Sequence, residues 1–194
     1  MIDLIILANL RDGPKHGYAL KKQAGMVFAH SELHNNLVYP LLRRFTSQGW
    51  VTKKSAPGER GQTRQQYALT ASGRRALLER LNTFTEKEAQ STEEFLVRIG
   101  LFELLEPATR QRILDTRRQL LAGREAHFAQ LRQMELGVYG SEVVGFLHQH
   151  VKAELAWLRR LRRLAANQSS IPAPADHDRE RSAAAHNPKQ RSTS

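Results

Sequence analysis

Cysteine is absent from all 194 residues, which rules out disulfides and thiolate metal sites. No apolar run approaches the ~20 residues that span a bilayer. The opening stretch MIDLIILANLRDG has no basic lead-in, and Asn9 interrupts its apolar run, so it does not read as a signal peptide. The motifs of catalysis are missing too: no HExxH, no Gly-rich phosphate loop and no GxSxG. The histidines are scattered, and His148 and His150, two apart, fall on different helix faces. These absences predict a soluble, cytoplasmic protein that is not an enzyme, holds no metal, needs no cofactor and meets no membrane.

What is present is positive charge. The net charge is +11, and thirteen Lys/Arg against five Asp/Glu place +8 of it in residues 1–81. Residues 82–164 are nearly balanced, with thirteen against eleven. A basic excess focused on one part of a chain points to a polyanion, most often nucleic acid. Hydrophobic residues make up 40%, enough for a modest core.

Periodicity and breakers divide the chain. Asp3 leads a short apolar helix that ends at the RDGP turn, Arg11 to Pro14. KHGYALKKQAG reads as a second helix closed by Gly25. A third begins near Ser31 or Leu33 and runs to Gln48, with Gly49 after its end. Pro40 suggests a true start near Val38 or Tyr39. On this helix Leu37, Leu41, Leu42 and Phe45 are expected in the core. Trp50 to Lys54 and RQQYALT read as two strands joined by a basic loop, with Tyr67 and Leu69 pointing inward. Thr70 is a good N-cap for ASGRRALLERLNTF.

The order helix, helix, helix, strand, strand, helix is that of a winged helix-turn-helix. The third helix of such a unit enters the major groove. Asn35, Asn36, Tyr39, Arg43 and Arg44 on its outer faces suit base edges and phosphates. Lys53, Lys54, Arg60, Gln62 and Arg64 give the wing five donors against one acid, Glu59. Lys15, His16 and Tyr18 sit at the start of the second helix, where an N-terminus favours anions.

Beyond Ser91 the pattern turns to long helices. TEEFLVRIGLFELL stops before Pro107. PATRQRILDTRRQLLAGREAHFAQLRQME follows with Pro107 in its first turn. Ser141 is expected to cap a last helix, EVVGFLHQHVKAELAWLRRLRRLA. Its apolar residues form two stripes, one through Val143, Leu147, Val151, Leu155 and Leu158, the other through Phe146, His150, Ala153 and Trp157. Faces this wide call for cover from a second subunit. Arg98, His150 and Trp157 could hold an aromatic acid in a cleft between the two parts, although Glu94 also offers Arg98 a partner one turn away. Residues 167–194, with three prolines and many polar side chains, read as a disordered tail.

The fold class expected is therefore mainly α with a small β-hairpin. Residues 1–83 form the DNA-binding unit, 84–166 a helical dimerisation and effector unit, and 167–194 the tail. GPKHGYALKK, YPLLRRFTSQGWV and RQQYALTASGRRAL together resemble the PadR-type winged-helix transcriptional regulators. EEFLVRIGLFELL and AELAWLRRL are similar to the helical C-terminal domain of the longer members. The resemblance implies a homodimeric repressor on an inverted-repeat DNA operator, released by a small phenolic acid. Two rival readings are a DNA-binding regulator without an effector and a helical interaction protein with a degenerate winged helix.

Overall fold

The computed structural model describes residues 1–26, 35–57 and 63–167. The stretch from Ser31 to His34, the wing residues Arg60 and Gln62, and the tail from 168 onward lie outside the described residues, as do the side chains of Asn35 and Asn36.

Helix α1, Ile2–Asn9, buries Leu4, Ile5, Ile6 and Leu7. A helix apolar on every side must be enclosed by its neighbours. A 3-10 turn, Leu10–Asp12, follows, and Gly13 at φ 125° turns the chain into strand β1, Lys15–His16. Helix α2 spans Gly17–Met26 and α3 spans Asn35–Ser47. On α3, Val38, Leu42 and Phe45 are fully buried at i, i+4 and i+7. Leu37, expected in the core, is 45% exposed. Each residue turns a helix by about 100°, and that one step gives the core position to Val38 instead. Pro40 lies inside α3 rather than at its start. It offers no N–H to the carbonyl four residues back, and the three buried side chains hold the helix through that gap.

Helix α3 ends in a Schellman motif. Gly49 adopts φ 70°, its N–H reaches the Thr46 carbonyl at 3.1 Å, and the Trp50 N–H reaches that of Phe45 at 2.9 Å. The Trp50 and Phe45 rings stack at 5.6 Å, the apolar contact that usually accompanies this motif. The turn launches β2, Val51–Pro57, which pairs with β3, Thr63–Leu69, from Val51 opposite Leu69 to Pro57 opposite Thr63. The short β1 adds to the other edge of β3, with Lys15 opposite Tyr67 and His16 opposite Gln66, giving the order β1-β3-β2. Two strands were expected and the third is new. Lys15 and His16 thus belong to a sheet edge rather than to a helix.

Thr70 caps α4, Ala71–Asn82, its Oγ1 accepting from the Gly73 N–H at 3.0 Å. The Thr70 and Ser72 hydroxyls also donate to the Gly49 carbonyl, each at 2.7 Å, so α4 is tied to the turn that opens the wing.

The helical region opens with α5, Glu86–Ala89, started by a capping box between Thr85 and Glu88. Helix α6, Thr92–Ile99, is capped by Ser91 and stops at Gly100, short of the single helix expected up to Pro107. A 3-10 turn, Phe102–Leu104, fills the interval. Helix α7, Pro107–Leu131, starts with Pro107 where a missing N–H costs nothing. Helix α8, Val138–Asn167, begins three residues before the expected cap at Ser141. The Ser141 N–H already bonds the Gly137 carbonyl at 2.9 Å, so the first turn forms ahead of it.

Helices α7 and α8 form an antiparallel pair. The Arg117 guanidinium grips Glu154 through Nε at 2.7 Å and Nη2 at 3.0 Å, His148 meets Glu125 at 3.2 Å, and Arg162 meets Asp115 at 2.9 Å. Ile113, Leu114, Leu121, Val151, Leu158 and Ala165 pack with this pair into the core. The architecture is mainly helical, a winged helix-turn-helix followed by a helical region. Among the described residues, no helix is long and apolar enough to cross a membrane.

Candidate nucleic-acid interface

Three elements converge on one face. The Schellman turn fixes α3 against the wing. The pairing of β1 with β3 brings the first turn of α2 beside that wing. Tyr39, half-buried on α3, fits against Gly17 so closely that a Cβ there would stand 2.9 Å from its Cε1. Tyr18 is 72% exposed. Lys15 donates to Gln23 at 3.2 Å, and His16 Nδ1 lies 3.3 Å from the Gln65 carbonyl.

Arg43, Arg44, Lys53, Lys54 and Arg64 are all exposed. None of them forms an ion pair among the described residues. The Arg44 guanidinium lies 5.5 Å from the Phe45 ring centroid. The buried arginines of the helical region behave differently. Arg98 pairs with Glu88 at 2.5 Å and Glu94 at 2.7 Å, and Arg117 pairs with Glu154. Buried cations need partners, whereas exposed ones are hydrated and available to a polyanion.

Between α2, α3 and β3 lies a cavity of 610 Å³, lined by His16, Gly17, Tyr18, Tyr39, Arg64 and Tyr67 among others. Five of these except Gly17 had been singled out or read as core from the sequence. The cavity itself was not foreseeable, because it is made by elements far apart in the chain. Tyr67 is 7% exposed, as its inward position on β3 predicts. Burial pushes its phenol pKa up, the nearby Tyr39 adds to the rise, and Arg43 opposes it.

The three residues expected to hold a small acid are not gathered in this way. Arg98 commits its guanidinium to Glu88, Glu94 and the Thr83 carbonyl, 3.1 Å away, and lies 5.0 Å from the Phe84 ring centroid. His150 is exposed beside Phe146, with ring centroids 4.3 Å apart. Trp157 meets Phe95 edge-to-face at 6.0 Å, a packing contact. Among the described residues, no group of three or more His, Asp or Glu could hold a metal ion.

The N-terminal half of α8 leaves a large apolar surface open. Tyr139 is 86% exposed, Phe146 61%, Val143 57% and Leu147 40%, while Val151 and Leu158 further along are buried.

Residues 6–79 match the transcriptional regulator PadR-like family. Among solved structures, the protein TA0346 of Thermoplasma acidophilum is 31% identical, over 40% of this chain and 74% of its own, with a TM-score of 0.38. A PadR family transcriptional regulator of Eggerthella lenta is 34% identical, over 40% and 65%, with a TM-score of 0.35. PadR of Bacillus subtilis in complex with operator DNA is 16% identical, over 84% and 98%, with a TM-score of 0.42. No curated protein sequence matches.

Proposed function

The chain belongs to the transcriptional regulator PadR-like family through residues 6–79, and from that premise we propose that it is a homodimeric repressor binding an inverted-repeat operator in double-stranded DNA. Residues 1–83 serve as the DNA-binding unit and 84–166 as the helical dimerisation unit of a cytoplasmic protein. The observation that carries this reading is the row of exposed cations on α3 and the wing that form no ion pair among the described residues: Arg43, Arg44, Lys53, Lys54 and Arg64.

The N-terminal turns of α3 supply base contacts, with Asn35, Asn36 and Tyr39 as the proposed readers, and Arg60 and Gln62 are proposed to contact the DNA backbone. Lys15, His16 and Tyr18 grip phosphate beside them. Two copies must place their α3 helices about one duplex turn apart, ~34 Å. The open apolar face of α8 suits a self-complementary contact that sets this spacing.

A small aromatic acid that favours a differently spaced dimer would release the operator. This part rests on the family resemblance. Because Arg98 is consumed by Glu88 and Glu94, such an acid would have to displace a carboxylate to use it.

Footprinting on DNA selected from a random pool by the protein itself tests the reading. Protection of two symmetric half-sites one helical turn apart is the expected pattern. Uniform protection without a preferred sequence would reduce the protein to a nonspecific binder.

A further inference from the structure

We infer that the cavity between β3 and the first turn of α2 seats one sugar–phosphate unit, with the Tyr67 hydroxyl as its innermost donor. The inference rests on the proposed DNA-binding reading and adds to it a built pocket and a residue that the sequence assigned to the core.

Four observations converge. First, Tyr67 is 93% buried, since only 7% of its surface is open, yet it makes no side-chain hydrogen bond among the described residues. The ring is buried but the hydroxyl is not sealed from solvent. Because Tyr67 lines the cavity, that hydroxyl opens into it as a donor available to a ligand.

Second, Gly17, Tyr18 and Ala19, the first turn of a ten-residue helix, line the same space. The N–H groups of a first helical turn have no acceptor within the helix and attract anions.

Third, among the described residues the lining contains Arg64 and His16 but no carboxylate. The His16 Nδ1 lies 3.3 Å from the Gln65 carbonyl, so Nε2 is the remaining ring nitrogen, a donor to an anion only in the imidazolium form.

Fourth, the rings of Tyr18 and Tyr39 form apolar walls, and 610 Å³ is far more room than a bare phosphate fills. A phosphate carrying its sugar matches that mixture of apolar wall and converging donors. A tyrosine phenol is protonated, hence a donor, at neutral pH, and the burial that raises the Tyr67 pKa works in the same direction.

A sugar–phosphate can come from the operator backbone or from a free nucleotide, and the test separates them. Full-length wild-type protein and Tyr67→Phe are compared, with thermal melts confirming that both fold. Each binds the selected operator, a set of operators bearing one neutral methylphosphonate apiece across a half-site, and deoxythymidine monophosphate. Backbone seating predicts that Tyr67→Phe loses about tenfold in operator affinity, as for a hydrogen bond to a charged group, with an unchanged salt slope. One methylphosphonate position should then weaken the wild type by a similar factor and leave Tyr67→Phe unaffected. Free-nucleotide seating predicts that the monophosphate binds the wild type, fails to bind Tyr67→Phe, and the two proteins hold the operator equally.

If Tyr67→Phe matches the wild type on every probe, or no methylphosphonate position distinguishes the two and the monophosphate binds neither, the inference is overturned. The methylphosphonate scan on the wild type gives a readout even if the variant folds poorly. Absence of any operator preference in the wild type would instead sink the proposed function, and the monophosphate arm would still decide the pocket.

Discussion

Gly17 on α2 and Tyr39 on α3 meet as backbone against ring, with room for no side chain between them: a Cβ on Gly17 would lie 2.9 Å from Tyr39 Cε1 and 3.3 Å from its hydroxyl. The contact joins the helix whose N-terminus is proposed to face DNA with the helix proposed to enter the groove. Gly17→Ala must push the ring outward, and a half-exposed ring can move without disturbing the core. The expected result is a change in unfolding free energy within about 1 kcal/mol and a clear loss of operator affinity. Undiminished operator binding in anisotropy would show that the position of Tyr39 does not matter.

Gly73 gives the opposite contrast. A Cβ there would collide with the Trp50 carbonyl oxygen and stand 2.7 Å from Leu69 Cδ1. A backbone oxygen cannot swing aside, so Gly73→Ala must shift α4 against the wing. A loss of about 3 kcal/mol or more is expected in urea denaturation, at the upper end for overpacking. A loss below about 1 kcal/mol would mean that α4 is not held this tightly.

Acid should weaken the fold through identified carboxylates. Burial alone would raise the Glu88 pKa, but the Thr85 backbone N–H and the Arg98 guanidinium outweigh it and hold the value below the usual range. Asp3 is also held low, burial being outweighed by the Met1 ammonium group and Arg80. A folded-state pKa below the unfolded one gives stability that is complete above the unfolded pKa, about 4, and is lost as the pH falls through the folded one. Stability should therefore drop below about pH 4, and Glu88→Gln should make that drop shallower. An acid limb equally steep in the variant would remove Glu88 from the explanation.

Arg43 and Arg64 are exposed, form no ion pair among the described residues and lie on different elements. If each meets a phosphate, replacing both by Ala should weaken binding evenly across sequences. It should also lower the salt slope by about two, one for each lost contact. A slope equal to that of the native protein would place both residues away from the backbone.

Phe146 is 61% exposed in the open stripe of α8, flanked by Val143 and Leu147. A charge there should block apolar association without touching the core. Phe146→Glu is expected to halve the mass seen by light scattering while preserving the thermal transition of the fold. A variant of unchanged mass would move the dimer contact elsewhere.

Local chemistry was legible in the chain. Gly49 after α3, Thr70 before α4 and Pro107 at the head of α7 announce their roles by residue type, because caps and first turns depend only on near neighbours. The register of β1 was not legible, since two residues carry no periodicity and Lys15–His16 become a strand only by pairing with β3. On α3, Leu42 and Phe45 were read correctly as core, but Val38 rather than Leu37 completes the buried row. Arg98 showed the limit most clearly. Its i, i+4 partner Glu94 could be read from spacing, but Glu88 reaches it from a separate capped turn. The cavity at Tyr67 needs α2, α3 and β3 at once, so no local pattern signals it.

The measurement closest to the central claim is fluorescence anisotropy of the full-length protein on DNA from upstream of its own coding sequence, across a salt series and against random competitor. The account predicts tight binding that resists competitor and weakens steeply with salt, as several phosphate contacts require. Equal affinity for upstream and random DNA would contradict it, leaving the winged helix without the sequence-specific role assigned to it.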